Sequence, residues 1–173
     1  MRLFVAITLN DDIRNSLADL QDYLIHRGVR GNYTSLENLH LTLAFIGEYP
    51  DAADVLTAMD SVSFRPFPLK LDGIGSFNDL WWIGLSASEQ LDAVVRRLRH
   101  ALSDADIPFD RKRFSPHITL IRRAVYTGKG RFPPVQVPPA EMLATRISLM
   151  RSDRGRQGMI YTELGYRDAI DAE

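Results

Sequence analysis

Apolar and polar residues follow two periods along this chain, and the two patterns occur in the same order twice. Residues 2–9 (Arg-Leu-Phe-Val-Ala-Ile-Thr-Leu) form an apolar run of strand length. Asp11 or Asp12 then opens a segment whose Ile13, Leu17, Leu20 and Leu24 lie on one helical stripe. Arg27-Gly28 closes this helix, because glycine readily takes the left-handed backbone found at helix ends. At an offset of 78 positions the design returns: Leu80-Trp81-Trp82-Ile83-Gly84-Leu85 is a strand, and Leu91, Val95, Leu98 and Leu102 form the stripe. Ser86-Ala87-Ser88-Glu89 has the spacing of a capping box at the start of this second helix.

After each helix the pattern predicts a loop and then a strand carrying His-x-Thr-Leu, at His40-Leu41-Thr42-Leu43 and, offset by 77, at His117-Ile118-Thr119-Leu120. The chain therefore reads as one domain, 1–173, made of two similar halves, approximately 1–78 and 79–173. Ala52, Val55, Leu56 and Met59 predict a short further helix. Apolar segments near 67–76, 135–150 and 158–166 predict further strands, with Pro133-Pro134, Pro138-Pro139 and Gly128-Lys129-Gly130 marking loops.

Within the first His strand, alternation places Leu39, Leu41, Leu43 and Phe45 on one face and His40, Thr42 and Ala44 on the other. The first set reads as core. The second presents an imidazole and a hydroxyl about 7 Å apart on the opposite face, and His117 and Thr119 repeat the arrangement. A single such pair reads equally as a hydrogen-bonded structural feature. Two of the four histidines carry the motif, whereas chance would give it to about 0.6% of them at this Thr and Leu content. The repetition therefore points to chemistry. Two imidazoles across a cleft suit phosphodiester cleavage, one deprotonating an attacking water and the other protonating the leaving oxygen, while the threonine hydroxyls donate to non-bridging phosphate oxygens.

Composition narrows the alternatives. Without cysteine the chain has no disulfide, thiolate metal ligand or cysteine nucleophile. No carboxylate recurs at ligand spacing beside the histidines, so no metal is expected. The absence of a long apolar run or signal-like N-terminus predicts a cytoplasmic protein with no membrane partner. A net charge of −1 leaves RNA contacts to local clusters: Arg96-Arg97-Arg99, Arg111-Lys112-Arg113, Arg122-Arg123 and the arginines between 151 and 156. The first of these reads as the solvated side of a helix, and His26 and His100 as ordinary surface.

The segments Glu37-Asn38-Leu39-His40-Leu41-Thr42-Leu43-Ala44-Phe45-Ile46-Gly47 and Phe114-Ser115-Pro116-His117-Ile118-Thr119-Leu120-Ile121-Arg122, with the opening Arg2-Leu3-Phe4-Val5-Ala6-Ile7, closely resemble the 2H phosphoesterases. More narrowly, they are similar to the RNA 2',3'-cyclic phosphodiesterases, also called 2'-5' RNA ligases. The resemblance implies a bilobed α+β fold, each lobe an antiparallel sheet backed by helices, with the active-site cleft between them. It implies hydrolysis of RNA 2',3'-cyclic phosphate ends to 2'-phosphomonoesters, with reversible 2'-5' ligation as a further activity and no metal or other cofactor. In that scheme His40 protonates the departing 3' oxygen and His117 activates water, although the two halves are too alike for the residues themselves to assign the roles.

The resemblance also makes Arg122 a phosphate ligand. Strict alternation from His117 puts it on the wrong face, so a strand end or a bulge near Ile121 is required to turn it toward the cleft. Tyr33, Phe114 and Arg113, with Lys112, are candidate substrate contacts, each balanced by a surface or packing role. The loop Gly31-Asn32-Tyr33-Thr34 departs from the arginine and tryptophan of many relatives. The expected state is a monomer acting on RNA or an oligonucleotide. The competing readings are a phosphodiesterase for a small cyclic nucleotide or a 2'-5' oligonucleotide, and a module that binds RNA ends without cutting them.

Overall fold

The computed structural model describes residues 1–170. The opening apolar run forms β1 (Arg2–Thr8), whose five inner residues are all buried, as in a strand covered on both faces. Helix α1 (Asp11–His26) follows, capped by Asn10, whose side chain accepts from the Ile13 amide at 3.0 Å. Its Ile13, Leu17, Leu20 and Leu24 stripe is buried as the spacing predicts. The chain then runs through β2 (Val29–Tyr33), a one-turn 3₁₀ segment (Leu36–Asn38), β3 (His40–Glu48), α2 (Ala52–Met59), β4 (Phe67–Phe77) and β5 (Leu80–Leu85). It ends with α3 (Glu89–Asp104), β6 (His117–Tyr126), β7 (Glu141–Ala144), β8 (Arg146–Gly155) and β9 (Gly158–Asp168).

The architecture is α+β, with two antiparallel sheets ordered β3-β1-β8-β9 and β2-β6-β5-β4-β7. Each sheet holds one His strand, and each takes strands from both ends of the chain. β2 pairs with β6, and the β8–β9 hairpin pairs with β1. The helices sit on the core side, with α3 against β3 and α2, and α1 against β2. One continuous cluster of buried side chains, including Leu17, Leu41, Leu98 and Ile118, joins the helices to both sheets. Among the described residues, no helix is long and apolar enough to cross a membrane.

Three expectations are corrected. The segment between α1 and the first His strand contains β2 rather than only a loop. Its Arg-Gly-Asn centre is polar, and its strand character comes from pairing with β6. The cap of α3 is Ser88, which accepts from the Leu91 amide at 3.1 Å, so the Ser86–Glu89 spacing is not the box that starts the helix. Residues 135–140 lie outside any strand, and the remainder of the 135–150 segment divides between β7 and β8 at Thr145.

Candidate functional site

The two His-x-Thr segments begin their strands, and in each the carbonyl two residues before the histidine is aimed at the imidazole. His40 Nδ1 lies 2.7 Å from the Asn38 carbonyl oxygen, and His117 Nδ1 lies 2.7 Å from that of Ser115. A carbonyl only accepts, so Nδ1 carries the hydrogen in both neutral rings and Nε2 is left with the free lone pair. In the first unit Nε2 is also 2.8 Å from Thr42 Oγ1, which donates its hydroxyl hydrogen to the neutral ring. The same backbone-anchored imidazole thus occurs twice.

Aromatic rings close in on each histidine. Phe4 and Tyr161 lie 5.0 and 5.3 Å from His40, ring centre to ring centre, while Phe77 and Trp82 lie 5.6 and 6.2 Å from His117. Phe4 and Trp82 are related by the same 78-residue offset as the helices, so the repeat could have identified them. Tyr161 and Phe77 come from β9 and β4, where no motif marked them. Of the two tryptophans, Trp81 packs on the core and against Phe132, while Trp82 lies on the His117 side across Gly75, where a Cβ would approach its ring to 2.4 Å.

A bulge lies just beyond each threonine. Val5 opposes Ala44 and Ala6 opposes Thr42, which leaves Leu43 as an extra residue. Likewise Trp81 opposes Ile121 and Trp82 opposes Thr119, which leaves Leu120. The extra residue reverses the facing of the next strand positions. Ala44 is therefore buried with Leu43, and Phe45 turns to the histidine face, where it packs with Phe4 and Tyr161. This corrects the alternation that put Phe45 in the main core and Ala44 beside His40. In the second unit Leu120 and Ile121 are both buried and Arg122 turns out of the core. Phe45 and Arg122 thus hold corresponding positions, five residues after each histidine, and only the second carries a charge.

Arg122 lines a cavity of about 600 Å³ with Tyr33, Asn38, Met159 and Tyr161, next to His40. The Asn38 side chain donates to the Met159 carbonyl at 2.8 Å and ties this wall to the start of β9. The Tyr33 hydroxyl donates to the Val29 carbonyl at 2.7 Å, and burial raises its pKa above the usual phenol value. Arg113 and Phe114 lie elsewhere, in a hollow beside α3 with Asp92, Val95, Arg96 and Arg99, and Phe114 packs against the core. Lys112 presents its carbonyl to Arg99. His26 and His100 are exposed on helices, the first bonded to the Asp22 carbonyl and the second paired with Asp104. Among the described residues, no three His, Asp or Glu side chains gather as metal ligands would.

Burial lowers the His40 pKa below that of free imidazole, and the positive charges of Arg122 and His117 push it the same way against the Asn38 hydrogen bond. The unfolded chain then binds more protons than the folded one as pH falls from the free-imidazole value of about 6.5 toward the folded His40 value. Stability attributable to this ring is therefore full above that window and is lost as pH falls through it. A histidine-resolved NMR titration should place the His40 midpoint below free imidazole, and inorganic phosphate should raise it by supplying an anion to the cleft. A midpoint at or above the free value would contradict this electrostatic picture.

Residues 9–156 match the family model described as the 2'-5' RNA ligase superfamily. The chain is 31% identical to an RNA 2',3'-cyclic phosphodiesterase of Thermus thermophilus, covering 95% of this chain and 88% of that protein. It is 29% identical to one of Thermotoga maritima, covering 95% and 93%. Among solved structures it is similar to E. coli LigT in apo form, with a TM-score of 0.80 and 27% identity over 97% of this chain and 96% of that one. The LigT complex with 3'-AMP gives a TM-score of 0.78 at the same identity and coverage.

Proposed function

Because this chain belongs to the 2'-5' RNA ligase superfamily, we propose that it hydrolyses RNA 2',3'-cyclic phosphate ends to 2'-phosphomonoesters, with His40 and His117 as the acid and base. The observation that carries this reading is the duplicated unit: two imidazoles, each fixed through Nδ1 to a backbone carbonyl and each followed by a threonine, with Arg122 lining a cavity that shares Asn38 and Tyr161 with the surroundings of His40. The curated relatives named RNA 2',3'-cyclic phosphodiesterase and the LigT complex with 3'-AMP support the substrate class.

In the reaction, His117 Nε2 takes a proton from water as the water oxygen bonds to phosphorus. The bond from phosphorus to the 3' oxygen breaks, and that oxygen takes the proton from protonated His40 Nε2. Thr42, Thr119 and Arg122 hold the non-bridging oxygens as their charge builds. The lowered His40 pKa leaves this acid short of protons in the empty cleft, and the substrate's own anionic charge counteracts that. If a ribose 5'-hydroxyl takes the place of water, the same groups form a 2'-5' linkage.

The test is incubation, with EDTA present, on an oligoribonucleotide bearing a 2',3'-cyclic phosphate, with 2'- and 3'-phosphate products resolved. Conversion to the 2'-phosphate is expected. A 3'-phosphate product would overturn the assignment of the leaving oxygen, and binding without turnover would favour an RNA-end binding module.

A further inference from the structure

The buried amide of Gln21 lies away from both histidines, on α1, and neither half-repeat marks it. Its Nε2 donates to the carbonyl oxygens of Thr34, at 2.8 Å, and Leu120, at 3.3 Å. The Leu120 carbonyl also accepts from the Thr34 amide at 3.0 Å. Leu120 is the extra residue of the bulge in β6, and Thr34 comes directly after β2, the edge strand paired with β6. Three hydrogen bonds therefore converge on the point where the strand changes face, two residues before Arg122. Gln21 is a polar residue on an otherwise apolar helical stripe, 9% exposed, and burial of its amide is favourable only because both hydrogens find acceptors.

We infer that Gln21 is a positioning residue for Arg122: by holding the Leu120 bulge closed against Thr34, it fixes the direction in which the guanidinium enters the cleft. A bulge is a local irregularity with few ladder bonds of its own, so an external clamp decides which face the next residues take. The equivalent bulge at Leu43 precedes Phe45, a side chain held by packing, whereas Arg122 is exposed and has no such anchorage. The inference rests on the reading of Arg122 as a phosphate ligand.

The test is a double-mutant cycle on the full chain. Gln21→Met keeps the side-chain length and removes both donors. It is expected to lower kcat/KM on cyclic-phosphate RNA by about 10-fold in the wild-type background, and by less than about 2-fold when Arg122 is already alanine, since residues acting as a unit are non-additive. Leu20→Ala, on the same helix but in the apolar core, serves as the stability control. It should lower the melting temperature at least as far while leaving kcat/KM within about 2-fold. Inorganic phosphate affinity gives a second readout, expected to fall in Gln21→Met as it does in Arg122→Ala.

Additive effects in the cycle, or a Gln21→Met protein that loses stability but keeps both kcat/KM and phosphate affinity, would overturn the inference. A wild-type protein with no turnover would instead count against the proposed function, and the phosphate measurement would then decide the role of Gln21 by itself.

Discussion

Alanine at His117 or His40 is expected to lower kcat on a 2',3'-cyclic phosphate RNA by about 10²- to 10⁴-fold, the usual range for loss of a positioned acid or base. In the proposed mechanism both rings serve one displacement, so the double variant should lose little beyond the more damaging single change. The folded state should survive, because each imidazole stands on the partly open face of its strand and its one backbone partner, the Asn38 or Ser115 carbonyl, can turn to water. Single-turnover rates alongside thermal unfolding separate the two effects. A His117→Ala protein with intact turnover would remove the two-histidine mechanism, whatever the relatives do.

The second large effect is expected at Arg122. Replacement by alanine should reduce kcat/KM by about 10- to 100-fold, the equivalent of one charge-assisted contact to an anion. Lysine should recover only part of the loss, because an ammonium lacks the planar fork that meets two phosphate oxygens together. The same substitution has an electrostatic signature that simple loss of binding does not: Arg122 is one of the charges holding the His40 pKa down, so in Arg122→Ala the His40 midpoint should rise. An unchanged midpoint with reduced affinity would place the guanidinium too far from the imidazole to serve the same phosphate.

The helices and the histidine strands were legible from the sequence because they obey a period: burial of the Ile13, Leu17, Leu20 and Leu24 stripe and of its copy in α3 comes from spacing alone. The bulges were not, since an inserted strand residue leaves no compositional mark. Alternation carried through Leu43 therefore misplaced Ala44 and Phe45. At Arg122 the same alternation pointed the side chain toward the core, and its reading as a phosphate ligand required an irregular strand; the observed irregularity sits at Leu120. β2 was missed for a different reason. Arg30, Gly31 and Asn32 have no preference for strand, and the free edge of β6 supplies it. Tyr161 reaches His40 only through the pairing of the distant β8–β9 hairpin with β1, and Phe77 reaches His117 through the pairing of β4 with β5 and of β5 with β6, which no motif marks.

The sharing of strands between the two sheets sets the order in which the site can form. β1 is flanked by β3 and β8, so that Leu3 lies opposite Gly47 on one side and Arg151 on the other. His117, Trp82 and Phe77 come from a contiguous stretch of chain, and their strands can pair soon after they are made. The surroundings of His40 cannot, because Tyr161 arrives on a hairpin separated from β1 by almost the entire sequence. Long-range closure of this kind slows folding and prolongs exposure of unpaired strand edges. A ribosome-bound chain lacking β8 and β9 would thus carry a nearly finished His117 side, with β1 bare along one edge and open to pairing with a neighbouring chain.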